Sequence, residues 1–262
     1  MTRIQKTFEK LGDQKALNIF MTAGYPNAEA SLEILNNLPD SGADLIELGI
    51  PFTDPMADGP TIQDSSLVAL ENGMSLQGTL DMLAEFRKNN DTTPVILMGY
   101  FNPIYAYGCE AFVKAAKDSG ADGLIVVDLP PEEDAELRIP AQEAGIDFIK
   151  LITPTTVGAR LDTVLNHASG FLYYVSIAGV TGTKSADIGA VGAHIQDIKS
   201  KTSLPVAVGF GIKTPEDASN MSKIADAVVV GSAIVENIKQ NQGSNDLIAT
   251  LKTQISALKN AI

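Results

Sequence analysis

The chain has 262 residues, of which 45% are apolar and 19% charged, with a formal net charge of −13. That length and apolar content suit one large domain with a sizeable core, while the acidic balance argues against nucleic acid as a partner. The single cysteine, Cys109, excludes an internal disulfide and fits a reducing cytoplasm, and neither an apolar leader region nor an apolar run of ~18 residues is present to predict secretion or a membrane span.

Residues 1–11 read as helical material. The run LNIFMT at 17–22 predicts a first strand, and a helix over 27–39 lines up Leu32, Leu35 and Leu38. The phrase SGADLIEL, from Ser41, then sets a pattern. A helix ends at a Gly suited to the left-handed conformation, an Asp follows, and a short continuously apolar strand of the kind buried on both faces comes next. Extra helix fits at 60–88, a strand at 94–98 (PVILM) and a helix at 110–118. The phrase returns as SGADGLIVVDLP from Ser119, ahead of a helix over 131–143, and again as EAGIDFIKLITP from Glu143. Strands are predicted at 171–176 (FLYYVS) and 204–208 (LPVAV). The helix over 215–222 begins on TPED, where Thr214 can cap, Pro215 fits the first turn and the acids favour the dipole. KIADAVVVGSA, from Lys223, carries the last copy, and a helix near 246–259 aligns Leu247, Leu251, Ile255 and Leu258.

The four recurring aspartates, Asp44, Asp122, Asp147 and Asp226, stand one or three units of about 26 residues apart, the length of a strand, a helix and two short loops. Eight strands alternating with helices favour a parallel sheet. Right-handed crossovers allow an open doubly wound sheet or a closed barrel. Eight strands in this length favour a single (β/α)8 TIM barrel over residues 1–262, with extra helices.

Barrel chemistry sits where strands end and run into helices. The second strand carries Glu47, whose alternation with Leu45 turns it toward the mouth, and leads into a loop with Asp54 and Asp58 stiffened by Pro51, Pro55 and Pro60. A carboxyl group in an apolar mouth has a raised pKa, as acid–base work near neutrality requires. The structural readings are a paired strand-end glutamate for Glu47 and a turn or helix cap for Asp58; Asp54, before a proline, reads as a turn former. The last two strands end in GFGI and GSA, where Gly211, Gly231 and Ser232 allow backbone amides to face a phosphate monoester; the rival reading is tight packing. His167 and His194 fall in helical stretches, no Cys/His set has metal spacing, and no nucleotide fingerprint follows the first strand. Carboxylate chemistry without a metal or cofactor is what remains.

ELGIPFTDPMADGPTIQ closely resembles the signature of the tryptophan synthase α-subunit family. FMTAGYP, GYFNPIYAYG, DLPPEE, YYVSIAGVTG, VGFGI and VVVGSAIV extend the match over essentially the whole chain in family order. The resemblance implies a (β/α)8 barrel that cleaves indole-3-glycerol phosphate to indole and glyceraldehyde 3-phosphate. By family pattern Glu47 is the acid–base residue and Asp58 the carboxylate beside the indole nitrogen. Gly182, Gly211, Gly231 and Ser232 match the phosphate cradle, and Phe20, Met98, Tyr100, Ile125, Ile152 and Phe210 the indole pocket. Tyr173 falls where the family steadies the glutamate, and Thr181 where the glycine-rich loop closes over the acidic one. Ile177 departs from the basic residue many members carry; Thr53 keeps a hydroxyl where serine is usual. The family further implies a β-subunit partner holding pyridoxal phosphate, in an α2β2 heterotetramer, and coupling between the two sites. Two rivals remain. One is another phosphate-handling barrel, which would place a lysine such as Lys150 at an inner strand end. The other is an inactive α-like chain that only binds and activates β.

Overall fold

The computed structural model describes residues 1–175, 188–209 and 211–262. In chain order, the elements begin with helix α1 (Arg3–Leu11), strand β1 (Ala16–Thr22), α2 (Ala28–Ser41) and β2 (Leu45–Gly49). Two helices follow, α3 (Pro60–Glu71) and α4 (Leu76–Arg87), and then β3 (Val95–Gly99), α5 (Phe101–Tyr107), α6 (Cys109–Asp118) and β4 (Gly123–Val126). After a 3-10 turn at Pro131–Glu133 come α7 (Ala135–Glu143), β5 (Asp147–Phe148), β6 (Lys150–Ile152), α8 (Ala159–Asn166) and β7 (Leu172–Val175). The remainder is α9 (Ile188–Lys201), β8 (Val206–Gly209), α10 (Pro215–Ser222), β9 (Ala227–Val230), α11 (Ser232–Asn241) and α12 (Leu247–Lys259).

All pairings among the described strands are parallel, in the order β5-β4-β3-β2-β1-β9-β8-β7-β6. The two ends of that series, β5 and β6, are consecutive pieces of one strand interrupted at Ile149. The sheet therefore curls round on itself, and the expected eight-stranded (β/α)8 barrel is what forms. Two apolar layers separate by strand parity. Ala16, Leu45, Ile96, Ile125, Ile149, Tyr173, Ala207 and Val229 fill the inside. Leu17, Ile46, Leu97, Leu124 and Val228 face the helices.

The recurring aspartates explain themselves at the opposite end from the mouth. Asp44, just before β2, accepts the Leu17 N–H of β1 at 2.7 Å. Asp122, before β4, accepts the Val95 N–H of β3 at 2.8 Å, and Asp226, before β9, accepts the Val206 N–H of β8 at 2.9 Å. Each satisfies a donor at the start of the preceding strand: the first in β3 and β8, and the second in β1, whose Ala16 N–H goes to the Asp226 carbonyl. Basic side chains neutralise them: Lys259 on Asp44, Arg3 and Arg87 on Asp122, Lys199 on Asp226. Asp147 differs and takes the Thr2 hydroxyl at 2.8 Å. Helix α1, capped by a Thr2–Gln5 box, lies under this ring and closes the bottom with Ile4, fully buried in the inner cluster. The repeat is thus a device of stability, at the face opposite the one where barrels carry their chemistry.

Candidate functional site

Strand parity delivers Glu47 to the inside of the barrel. Leu45 belongs to the inner cluster and Ile46 and Leu48 to the outer one, so Glu47 points inward. Its neighbours in register are Phe20 on β1 and Ile96 on β3. Glu47 is fully buried, and its Oε1 accepts from Asn18 Nδ2 at 2.6 Å, while Oε2 has no partner among the described residues. Burial in this apolar surround pushes the Glu47 carboxyl up to about 8, against the opposing pull of the Asn18 hydrogen bond. The glutamate therefore has the neighbouring donor that the structural reading expects, but on one oxygen only, and the other is left bare among the described residues.

Asp58 reaches the same cavity from the loop after β2. The N-cap of α3 is Gly59, without a side-chain cap, and Pro60 occupies the first turn. Asp58 is thus free of capping duty. Its Oδ2 accepts from the Tyr100 hydroxyl at 2.9 Å, and that hydroxyl in turn accepts the Ala57 N–H at 2.9 Å. Gln63 Nε2 donates to the Asp58 carbonyl at 2.8 Å, which pins the loop to α3. Burial raises the Asp58 carboxyl, and the Tyr100 hydrogen bond partly restores its acidity. Asp54 stays exposed and is bonded by Thr53, as its reading as a turn residue anticipates.

One cavity is lined by Phe20, Glu47, Asp58, Met98, Tyr173, Gly211, Gly231 and Ser232, joined by Gly59, Ile62, Ile212, Lys213 and Val229. Tyr173 stands on β7 and is buried; burial and the nearby Glu47 and Asp58 carboxyls raise its hydroxyl pKa. A methyl group at Gly209 would collide with the Tyr173 ring, so the end of β8 has room only for glycine. Gly211 holds φ at +78°, a left-handed backbone that glycine adopts without strain. Ser232 begins α11 with Gly231 as its N-cap, so the positive end of that helix faces the cavity.

Three placements differ from expectation or add to it. Ile152 does not face the mouth: it packs outside the barrel with Leu161, Val164 and Tyr174, while its neighbour Leu151 packs against the inner cluster. Ile125 is fully buried inside the barrel, in register with Met98, but is not among the residues lining the cavity. Tyr100 touches the site through Asp58 and lines an adjoining recess with Phe20, Met98 and Ile50. Gly182, Thr181, Ile177 and Phe210 lie outside the described residues. Lys150, the lysine a rival barrel mechanism would use, projects outward and pairs with Asp134 at 2.6 Å. Among the described residues no cluster of His, Cys, Asp and Glu is placed to hold a metal, and no helix is long and apolar enough to cross a membrane. Asn18, Ile62 and Lys213 were not anticipated; an amide inside the otherwise apolar run LNIFM was the available signal for the first.

Fold and site together define a (β/α)8-barrel protein with two carboxyl groups and a helix start around one cavity at its mouth. The family model described as tryptophan synthase alpha chain matches residues 8–262, and the chain belongs to that family. The tryptophan synthase subunit alpha of Legionella pneumophila is 42% identical, covers 100% of this chain and 98% of its own, and superposes with a TM-score of 0.93. A chain of the tryptophan synthase complex from Pyrococcus furiosus is 37% identical over 94% of this chain and 98% of its own, with a TM-score of 0.83. Tryptophan synthase from M. tuberculosis, in an aminoacrylate-bound form, gives 28% identity, 100% coverage of both chains and a TM-score of 0.89. Membership places the chain in tryptophan biosynthesis as an α-subunit, with a lyase's role in general.

Proposed function

We propose that this chain cleaves indole-3-glycerol phosphate to indole and glyceraldehyde 3-phosphate by a retro-aldol reaction at the barrel mouth. The observation that carries the reading is Glu47, a fully buried carboxyl group with one oxygen unpaired, lining the same cavity as Asp58. With its pKa near 8, Glu47 is mostly protonated at neutral pH and serves first as an acid. Its proton goes to the ring carbon that bears the side chain, and positive charge develops at the indole nitrogen. Asp58, kept ionisable by Tyr100, stabilises that charge as it forms. The Glu47 carboxylate then takes the proton of the side-chain hydroxyl. The hydroxyl oxygen's electrons become the aldehyde double bond, the carbon–carbon bond breaks, and its pair restores the aromatic ring. Ser232, Gly231 and Gly211 form the phosphate end, with Lys213 beside them. Phe20, Met98 and Ile62 supply the apolar wall for indole.

The same proposal includes a β-subunit partner in an α2β2 assembly, carrying the pyridoxal phosphate that joins indole to serine. Met56 on the acidic loop is 80% exposed and Tyr105 on α5 is 61% exposed. Large apolar side chains left in water on the loop after β2 and the helix after β3 suit a surface that a partner covers. A chain that only bound β would have no use for a buried carboxyl group with one oxygen unpaired, whose desolvation costs stability.

The pH dependence tests the assignment. The kcat/KM for indole-3-glycerol phosphate is expected to be bell-shaped, falling on the alkaline side near pH 8 as Glu47 loses its proton and on the acid side as Asp58 gains one. A profile without the alkaline limb, or one unchanged in Asp58→Asn, contradicts the roles.

A further inference from the structure

Asn18 is one of the unanticipated residues at the site. It stands on β1, two positions before Phe20, on the strand face that looks into the barrel beside Glu47. Asn18 is fully buried in a strand whose other members are apolar except for the terminal Thr22. A buried amide without return costs stability, and here its Oδ1 has no partner among the described residues. Its one hydrogen bond there is Nδ2 to Glu47 Oε1, at 2.6 Å. The Glu47 carboxyl is correspondingly asymmetric: Oε1 is anchored and Oε2 is bare.

That asymmetry suits a residue that must give a proton and then take one. Anchoring Oε1 fixes the plane of the carboxyl group and leaves Oε2 as the atom that carries the proton toward the cavity. An amide N–H donates to the carbonyl oxygen of the acid and to the carboxylate alike, so the anchor holds through both half-reactions. It holds the carboxylate more tightly, because hydrogen bonds to charged groups are the stronger ones. We infer that Asn18 is a positioning residue for the lyase reaction, holding Glu47 by Oε1 so that Oε2 performs the proton transfers. The inference rests on Glu47 being the acid–base group. The other titratable groups facing Glu47 among the described residues are Tyr173 from β7 and Asp58 from the loop after β2; Lys213 lines the same cavity. None of these donates a hydrogen bond to the carboxyl oxygens, so the Asn18 amide is the group whose removal isolates them. The same donor opposes the upward push of burial on the Glu47 carboxyl.

The test uses the whole chain in two variants, Asn18→Leu, which keeps the bulk without the donor, and Asn18→Ala. The Glu47 carboxyl is titrated by carbon-13 NMR in protein with labelled glutamate, its signal assigned with Glu47→Gln, and kcat/KM is followed against pH. The expected result is a Glu47 midpoint and an alkaline limb that both move up by about one to two pH units. In parallel kcat at pH 7 falls about ten- to a hundredfold with KM changed less than about twofold. A midpoint that stays at the wild-type position in both folded variants overturns the inference. The NMR arm needs no turnover, so a wild-type rate in Glu47→Gln would defeat the acid–base assignment separately.

Discussion

Replacing Glu47 with glutamine is expected to lower kcat/KM by on the order of 10²–10⁴-fold, the range general acid–base groups supply. Glutamine has nearly the same shape and still accepts from Asn18 Nδ2 through its carbonyl oxygen, so the loss would be that of a transferable proton. Binding of a phosphate-bearing analogue should stay within a few-fold, because Gly211, Gly231 and Ser232 are untouched. Stability should move the other way. The Glu47 carboxyl titrates near 8 in the fold against an ordinary value of 4.5. Between those values the folded chain holds a proton that the unfolded chain has released, so stability is lost as pH rises from about 4.5 to about 8. Glutamine removes that loss. At pH 8 the variant should be more stable than the wild type by on the order of a few kcal/mol, and so melt at a higher temperature. An inactive variant that melts below the wild type would mean that the carboxyl group is structural.

Truncating Asp134 to alanine is expected to destabilise the fold by about 3–5 kcal/mol while leaving turnover per folded molecule intact. Asp134 precedes α7 with no side-chain exposure, and its carboxylate meets Lys150 at 2.6 Å, Arg138 at 2.8 Å and His167 at 3.2 Å. Burial alone would raise its pKa, but these three partners outweigh burial and hold it below the usual carboxylate range. Its contribution is therefore complete above the unfolded value of about 3.9 and is lost as pH falls through the folded one. The damage in alanine comes from what is left behind. Lys150 is 6% exposed and lies 4.5 Å from the centre of the Phe148 ring, so its ammonium group would be stranded in an apolar surround. Denaturation midpoints measure the cost, and Asp134→Ala combined with Lys150→Met should recover most of it. A single variant as stable as the wild type would show that water replaces the lost partner.

The barrel was legible because its repeating phrase encodes a repeating duty. Three of the four copies, at Asp44, Asp122 and Asp226, place an aspartate where a neighbouring strand needs an acceptor, and a buried parallel strand reads as an unbroken apolar run. Helix α5 was hidden inside GYFNPIYAYG, where Pro103 and Gly108 punctuate like a loop; the Asp128 carboxylate, from the end of β4, takes the Phe101 N–H at 2.8 Å and starts that helix from outside the segment. Glu47 followed from period-two alternation, and Asp58 from the loop's chemistry. The same period betrayed Ile152, because a slip of one residue moves a strand side chain to the other face of the sheet, and Leu151 is the inward member of the pair. Asn18 escaped because its value depends on a residue across the sheet, which no local pattern in LNIFMT contains.

Release of indole decides the matter most directly. The purified chain, with a β-subunit present and absent, is given indole-3-glycerol phosphate, and both products are counted. Equal amounts of indole and glyceraldehyde 3-phosphate, formed by the wild type and abolished in Glu47→Gln, are the predicted result. No indole under either condition, or undiminished release from Glu47→Gln, would contradict it.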